Sequence, residues 1–492
     1  MNSNQANLKN QLNQGSDKGD MSEWKEYFLG DIGFFNNGVN KDKNSFGHGF
    51  PFVNLLDIFD KDRIENIPKG LVAVSSDELS RYDLKEGDIL FVRSSVKLDG
   101  VGKACAVMRD LKNTIYSGFV IRFRQTNPNI EKMFASYYLN SHEIRCQIIA
   151  KASQSANTNV NQESLKTIKI KLPSLTEQRK IAHILSTCDA VIEKTQSAIA
   201  KYKAIKQGML QDLFTRGVVS EKVKVKSEKG EWMEKEVWKL RPRYEDAPEL
   251  YKESKLGWIP MEWDEMSLED STDYVDYRGK TPPKSDFGVF LITAKNIRFG
   301  YIDYEISKEY IRADLFEIAM SRGKVKLGDV LFTTEAPLGN VAQINREDVA
   351  LAQRVIKYRA FDNLLDNNYL ALCLMSDGFQ RQLFSEATGT TVLGIKGSRL
   401  HKLKIAIPSL DEQRFIVKRL IAIDTKLQTE QSYLQKMQMV KKGLMEDLLS
   451  GKKCLNLDLQ DERINQDSKT ILQSGNLVNQ DADNYPVNPK IK

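Results

Sequence analysis

Pro173-Ser174-Leu175-Thr176-Glu177-Gln178-Arg179 and Pro408-Ser409-Leu410-Asp411-Glu412-Gln413-Arg414 are two versions of one heptapeptide, set 235 residues apart. Each opens a longer repeat. Residues 173–213 align with 408–448 without a gap, and sixteen of the forty-one positions are identical. A match of this length in constant register is an internal duplication.

Both copies announce a helix. Ser174 and Ser409 stand three residues before Glu177 and Glu412, the spacing at which a hydroxyl and a carboxylate can satisfy each other's free backbone N–H groups. An apolar stripe follows through Ile181, Leu185, Cys188, Ile192, Thr195, Ile199, Tyr202, Ile205, Met209 and Leu213. Its counterpart runs through Ile416, Leu420, Ile423, Leu427, Glu430, Leu434, Met437, Val440, Leu444 and Leu448. Steps of three and four residues describe a coiled-coil seam. A helix from Leu175 to Phe214 would be roughly 60 Å long at 1.5 Å per residue. So narrow a stripe on so long a helix needs a partner helix, and the chain supplies one.

The duplication extends beyond the helices. Glu23-Trp24 and Glu262-Trp263 match, as do Gly87-Asp88-Ile89-Leu90-Phe91 and Gly328-Asp329-Val330-Leu331-Phe332. The expected organisation is a first module over 21–172, a long helix over 173–217, a charged connector over 218–260, a second module over 261–407 and a second long helix over 408–451. Polar tails over 1–20 and 452–492 are low in large apolar residues and are expected to be disordered. Within the modules, 89–93, 104–108 and 119–123 have strand character, 130–150 and 368–384 helical character, and 168–172 and 403–407 form the last strands. Strands arriving in runs make each module α+β. The connector, with Pro242, Pro248 and Pro260 in a charged setting, is expected to lie extended on the surface.

The chain has 492 residues, too many for one ordinary core, and a net charge of +6, too small to imply nucleic acid unaided. Five cysteines, at 105, 146, 188, 373 and 454, include no CxxC pair, which argues against a disulfide framework or zinc and for a reducing cytoplasm. Neither a signal sequence nor an eighteen-residue apolar run is present, so no membrane partner is expected.

The sequence holds no coherent set of catalytic residues. Gly389 to Lys396 lacks the Gly-Lys-Ser/Thr ending of a phosphate loop. Asp366-Asn367-Asn368-Tyr369 has the outline of an amino-methyltransferase tetrapeptide without its prolines, and reads better as a helix N-cap. Glu253-Ser254-Lys255 lies in the connector without a partner aspartate. The four histidines, at 48, 142, 183 and 401, show no metal spacing, and no catalytic or metal-binding residue is assigned.

Loop positions instead carry polar and basic side chains suited to duplex DNA. These are Lys41, Lys43, Asn44, Arg93, Ser94 and Lys97 in the first module. In the second they are Arg278, Lys280, Thr281, Lys284, Lys295, Asn296, Arg298, Thr334, Gln353, Arg354, Thr390, Thr391 and Lys396. Arg and Lys can pair with guanine, Asn and Gln with adenine, and Thr with phosphate.

These features resemble the specificity subunits of type I restriction-modification systems. The resemblance rests on the duplicated Pro-Ser-Leu-x-Glu-Gln-Arg entry and on the shared Lys-x-Gly-x-x-x-Asp-Leu close at Lys206 to Leu213 and Lys441 to Leu448. It rests also on Leu256-Gly257-Trp258-Ile259-Pro260 and on the module, helix, module, helix order. It implies two α+β target-recognition domains, each reading half of a bipartite double-stranded DNA target, and two long helices packed as an antiparallel coiled-coil spacer. It further implies a chain without catalytic activity that recruits two modification subunits and also restriction subunits. S-adenosylmethionine, ATP and Mg²⁺ are then expected in those partners. The spacer and partner-facing candidates are Glu177, Gln178, Arg179, Gly208, Asp212, Glu412, Gln413, Arg414, Gly443 and Asp447. Glycines inside both helices raise the expectation that another backbone comes close there. The competing reading is a coiled-coil scaffold whose modules bind protein; a self-contained nuclease or methyltransferase is disfavoured by the missing motifs.

Overall fold

A computed structural model describes residues 24–126, 129–154, 157–226, 232–277, 282–389 and 391–451. The described residues fall into two compact units. One comprises those up to Gln196 together with those from Ser432 onward, the other Ser197–Gln431. The first unit holds the entry to the first long helix (Leu175–Thr215) and the end of the second (Leu410–Leu448); the other unit holds the complementary parts.

In the first unit a five-stranded sheet runs Gly33–Asn37, Val120–Gln125, Ile89–Val92, Ala104–Val107 and Arg63–Ile64. Its neighbours are antiparallel except the last pair. Ile89–Val92 is buried at every position, which explains its unbroken apolar run: both faces of the strand are covered. Ile89 and Phe91 pack towards Phe134, Tyr137, Ile144 and Ile148, and towards Ile181, Leu185 and Leu448 of the long helices. Leu90 and Val92 pack on the other side with Val53, Ile58 and Tyr116.

The second unit repeats the scheme with a sheet ordered Thr272–Asp276, Val355–Ala360, Val330–Thr334 and Leu338–Gln343. A further sheet, built from Lys284–Ser285, Tyr310–Ile311, Val289–Ile292 and Val349–Leu351, has no counterpart of equal size among the described residues of the first unit. In both units the opening strand pairs antiparallel with the closing one, Lys25–Phe28 with Lys169–Leu172 and Asp264–Ser267 with Lys404–Ile407. Each module is thereby closed next to the entry of a long helix.

Three expectations change. The helices expected over 130–150 and 368–384 are each two, Lys132–Tyr138 with His142–Ala150 and Asn367–Met375 with Asp377–Glu386. Ser141 and Ser376 are N-caps with extended backbone, so each interrupts the run of helical dihedrals. The 218–260 segment is folded rather than extended. Val218–Lys226 pairs with Trp232–Leu240 over nine residue pairs, and Tyr251–Ser254 pairs with Gly257–Pro260. The signal was present, since Lys222, Lys224 and Lys226 alternate with Val223 and Val225 at the strand period of two. Finally, a Cβ built on Gly208 or Gly443 meets nothing within 4 Å, so among the described residues no other backbone approaches either glycine. The expected tails over 1–20 and 452–492 lie outside the described residues.

Candidate nucleic-acid interface

Repeated motifs become repeated locks. Gln178 is 1% exposed and Gln413 is 0% exposed, although each follows a capped helix start where a glutamine would ordinarily face water. Gln178 Oε1 accepts from Glu131 N at 2.8 Å, while Nε2 donates to the carbonyls of Asn129 and Pro173 at 3.0 Å each. Gln413 does the same with Asp366 N at 2.8 Å, Leu364 O at 3.0 Å and Pro408 O at 2.8 Å. Each amide therefore fixes a long helix to the loop before its module's helical pair. An acceptor and a two-hydrogen donor on one planar group suit such a site, and a carboxylate would lack the donor.

The paired acids of the Gly-Asp motif are equally structural. Asp88 is bidentate to Arg124, with both oxygens at 2.7 Å, and Asp329 is bidentate to Arg359 at 2.7 and 2.6 Å. The Asp329 hydrogen bonds hold the Arg359 guanidinium above its usual pKa. Asp88 also accepts from Lys85 N and Asp329 from Lys326 N, both at 2.8 Å, so each acid pins the turn that starts the central strand.

The capping serines act as expected, Ser174 Oγ accepting from Glu177 N at 3.3 Å and Ser409 Oγ from Glu412 N at 3.4 Å. The Glu412 carboxylate has a larger role than returning that bond. It is buried, and accepts from Arg241 at 2.6 and 3.1 Å, from Trp263 Nε1 at 3.0 Å and from Val218 N at 2.7 Å. Gly217, at φ +59°, lies where an added Cβ would fall 2.3 Å from the Trp263 ring. At the matching end of the second helix Gly451, φ +68°, faces Trp24. Asp212 pairs with Arg216 at 3.2 Å, and the Asp447 carbonyl accepts from Ser450 Oγ at 3.2 Å. Arg179 and Arg414 are exposed.

Two loop clusters gather part of the polar set. In the first module Ser94–Ser95 pairs with Thr158–Asn159, directly beyond the central strand. Arg93 Nη1 donates to Gly118 O at 3.1 Å and Arg93 O accepts from Val160 N, so Arg93, Ser94 and exposed Lys97 share one edge. In the second module Thr334 N donates to Arg354 O, Ile395 N donates to Thr334 O, and Glu335 bridges Gly394. Exposed Gln353, Arg354, Thr391 and Lys396 are thus carried by adjoining segments, with Arg354 3.6 Å from Glu335.

Other candidates stand apart or are corrected. Lys41 pairs with Glu78 at 2.7 Å, and Lys284 with Glu309 at 2.7 Å. Lys43 and Asn44 are exposed on the short 3-10 turn Lys43–Ser45. Lys295 is exposed and Arg298 half-buried. Asn296 is not available to a base: it is 0% exposed, with Oδ1 accepting from Thr293 and Nδ2 donating to Asp303 O and Ser307 O. Thr334 is likewise buried, because its strand position faces the interior. Arg278, Lys280, Thr281 and Thr390 lie outside the described residues. Exposed Phe119, whose carbonyl accepts from Arg93 N, and exposed Phe299 and Tyr301 beside Arg298 were passed over. Arg298-Phe299-Gly300-Tyr301 does alternate aromatics with a cation and a turn glycine, and that pattern could have marked them.

Among the described residues no group of three or more His, Cys, Asp or Glu could hold a metal ion, and no helix is long and apolar enough to cross a membrane. Burial pushes the Cys105 and Cys373 thiols up to about 12, a setting for inert packing rather than nucleophilic chemistry.

The fold is that of a duplicated, two-module protein, and a solved chain from a study of complex assembly and conformational transition of the type I R-M system shares it. That likeness has a TM-score of 0.51 at 16% identity over 87% of this chain and 97% of the other. The family model for the type I restriction modification DNA specificity domain matches residues 21–201 and again 260–438. The chain belongs to this family, and DNA sequence recognition is its expected function. Among similar proteins, the putative type I restriction enzyme MjaX specificity subunit of Methanocaldococcus jannaschii is 26% identical over 439 residues, spanning 87% of this chain and 93% of that one. The type I restriction enzyme MjaVIII specificity subunit of the same organism is 27% identical over 354 residues, 69% of this chain and 75% of that one.

Proposed function

We propose that this chain is the sequence-reading subunit of a cytoplasmic type I restriction-modification complex, each module reading one half of a bipartite duplex target. The two long helices pair antiparallel as a coiled coil that sets the distance between half-sites. The domain limits are those of the sequence repeat, with the 218–260 segment joining the halves. Catalysis belongs to partners: two modification subunits using S-adenosylmethionine, and restriction subunits using ATP and Mg²⁺.

The observation that carries this reading is the match between equivalent positions in the two halves. Gln178 and Gln413 tie helix to module by the same three bonds. Lys441 meets Asp189 in the first unit as Lys206 meets Asp424 in the second, and both members of each pair are related by the offset of 235. Two like readers rigidly attached to like helices suit two half-sites at a set separation, as half-site spacing mirrors protein geometry in dimeric readers. The loop edges bearing Arg93, Lys97, Arg354 and Lys396 supply the contacts, with about 1–3 kcal/mol of discrimination per base pair.

Selection from random duplex DNA, using the chain co-expressed with its modification subunit, should return a two-part motif with a constant gap. Replacing residues 261–407 with the same region of a relative should change one part only. A motif without a gap, or a swap that alters both parts, would overturn the reading.

A further inference from the structure

The second unit contains a groove that DNA reading leaves unused. Its volume is about 410 Å³, and it is walled by the last turns of the first long helix, the Tyr251–Pro260 hairpin, and the turn between Asn367–Met375 and Asp377–Glu386. Leu210, Phe214, Met375 and Ile405 give it apolar surface, set among polar Gln207, Gln211 and Gln382. Trp258, 46% exposed, overhangs it and is held by stacking on Tyr244 at 4.4 Å between centroids.

The rim is positive. Lys255, Arg381 and Lys404 line it beside Asp377, with the Glu265 carboxylate on the Lys255 backbone N–H, and among the described residues no ion pair joins any of the three cations. The first unit differs at the same positions. Lys169, the counterpart of Lys404, lies 2.6 Å from Glu26 on the paired strand. The counterpart of Glu26 is Glu265, whose carboxylate instead accepts from Lys255 N at 2.7 Å and so holds the turn that presents Lys255. A charge neutralised in one copy is left open in the other.

We propose that this groove docks a peptide segment of a partner protein, apolar on one face and acidic on the other, once per chain. The apolar surface selects against a phosphate backbone, which would gain nothing from Phe214 or Met375, and an amphipathic helix laid apolar-side down places its acids at the rim. Cations around a partly apolar groove give electrostatic selection and salt sensitivity. The inference stands apart from the DNA-reading role, and its test separates the two.

The test titrates the full chain into two labelled peptides of about 18 residues, both with Leu and Phe along one helical face, one with Glu and the other with Lys along the opposite face. The Glu peptide should bind about ten-fold tighter or better, at one per chain, and should lose about ten-fold in Lys255→Glu/Arg381→Glu. Both side chains are exposed, and an unchanged circular dichroism spectrum checks that the variant folds. Equal affinity for the two peptides, two sites per chain, or undiminished binding to the variant overturns the proposal. The variant should also select the same DNA motif as the parent; if motif and peptide binding vanish together, the groove belongs to DNA and the proposal fails. If the parent selects no motif while peptide binding behaves as stated, the DNA-reading role fails and the groove stands.

Discussion

Lys206 reaches Asp424 with Nζ 2.5 Å from Oδ1, joining the two long helices within the second unit. Its repeat-equivalent, Lys441 with Asp189, does the same at 2.5 Å in the first. The environments differ: Asp189 also accepts from Tyr137 Oη at 2.6 Å and lies 3.9 Å from Arg63, whereas both members of the Lys206 pair are about one-third exposed. Asp424→Ala should therefore cost below about 1 kcal/mol, since solvent screens an exposed pair. Asp189→Ala should cost about 1–3 kcal/mol, because it strands buried donors. Region-resolved hydrogen exchange of the two variants checks the order, and a larger loss of protection around Asp424 would refute it.

The glutamine locks make a second prediction. Gln413→Ala leaves Asp366 N, Leu364 O and Pro408 O without their side-chain partner, a loss of roughly 3 kcal/mol when such groups stay buried. Gln413→Glu should be worse, as it sets a charge against two carbonyls. With two units a single unfolding free energy is not well defined. Hydrogen exchange resolved by region is the appropriate measurement, and loosening should concentrate in residues 364–413.

Gly208 and Gly443 give a prediction opposite to the sequence expectation. Open space around each built Cβ means that Gly208→Ala and Gly443→Ala should stabilise the isolated chain by about 1 kcal/mol apiece through helix propensity. Thermal melting reads this directly, and a fall in Tm would show that something does crowd the site.

Lys295 and Asn296 are neighbours with separable roles. Lys295→Ala should leave stability unchanged and, if Lys295 meets a phosphate, weaken DNA binding while lowering the salt slope by about one. Asn296→Ala should destabilise the second module by about 1–3 kcal/mol, since it empties a buried hub. Fluorescence anisotropy across a salt series, with melting curves, tests both; a stability loss at Lys295 alone would reverse the assignment.

Breaking the buried pair of Arg241 with Glu412 should cost about 3–5 kcal/mol, because the Glu412 carboxylate keeps only the neutral donors Trp263 Nε1 and Val218 N and no opposite charge. Arg241→Met should therefore loosen the Trp263 anchor, seen as a shift in tryptophan emission. An unshifted spectrum with native stability would show that Glu412 finds other donors.

The helices, the duplication and the module order were legible because they rest on periodicity and local capping, which are properties of neighbouring residues. The hairpin of 218–240 was legible in principle, since alternating Lys and Val is a strand signal, but prolines farther along masked it. The roles of individual polar residues were less legible. Asn296 and Lys295 are adjacent and equally suited to DNA on paper, yet one points into a hydrogen-bonded hub and the other into water. Glu412 matches a helix cap in sequence and becomes a three-donor junction only because Trp263, Arg241 and Val218 converge on it.

By itself the sequence determined that two like modules each lead into a long amphipathic helix, because stripe and repeat are encoded residue by residue along the chain. Only the tertiary structure decided that Gln178 and Gln413 are buried locks and that, among the described residues, Gly208 and Gly443 face open space and Lys404 is left unpaired where Lys169 is not. Those outcomes depend on which distant groups arrive within hydrogen-bonding reach, and at 3 Å the difference between a contact and a solvated charge is set by packing, not by residue type.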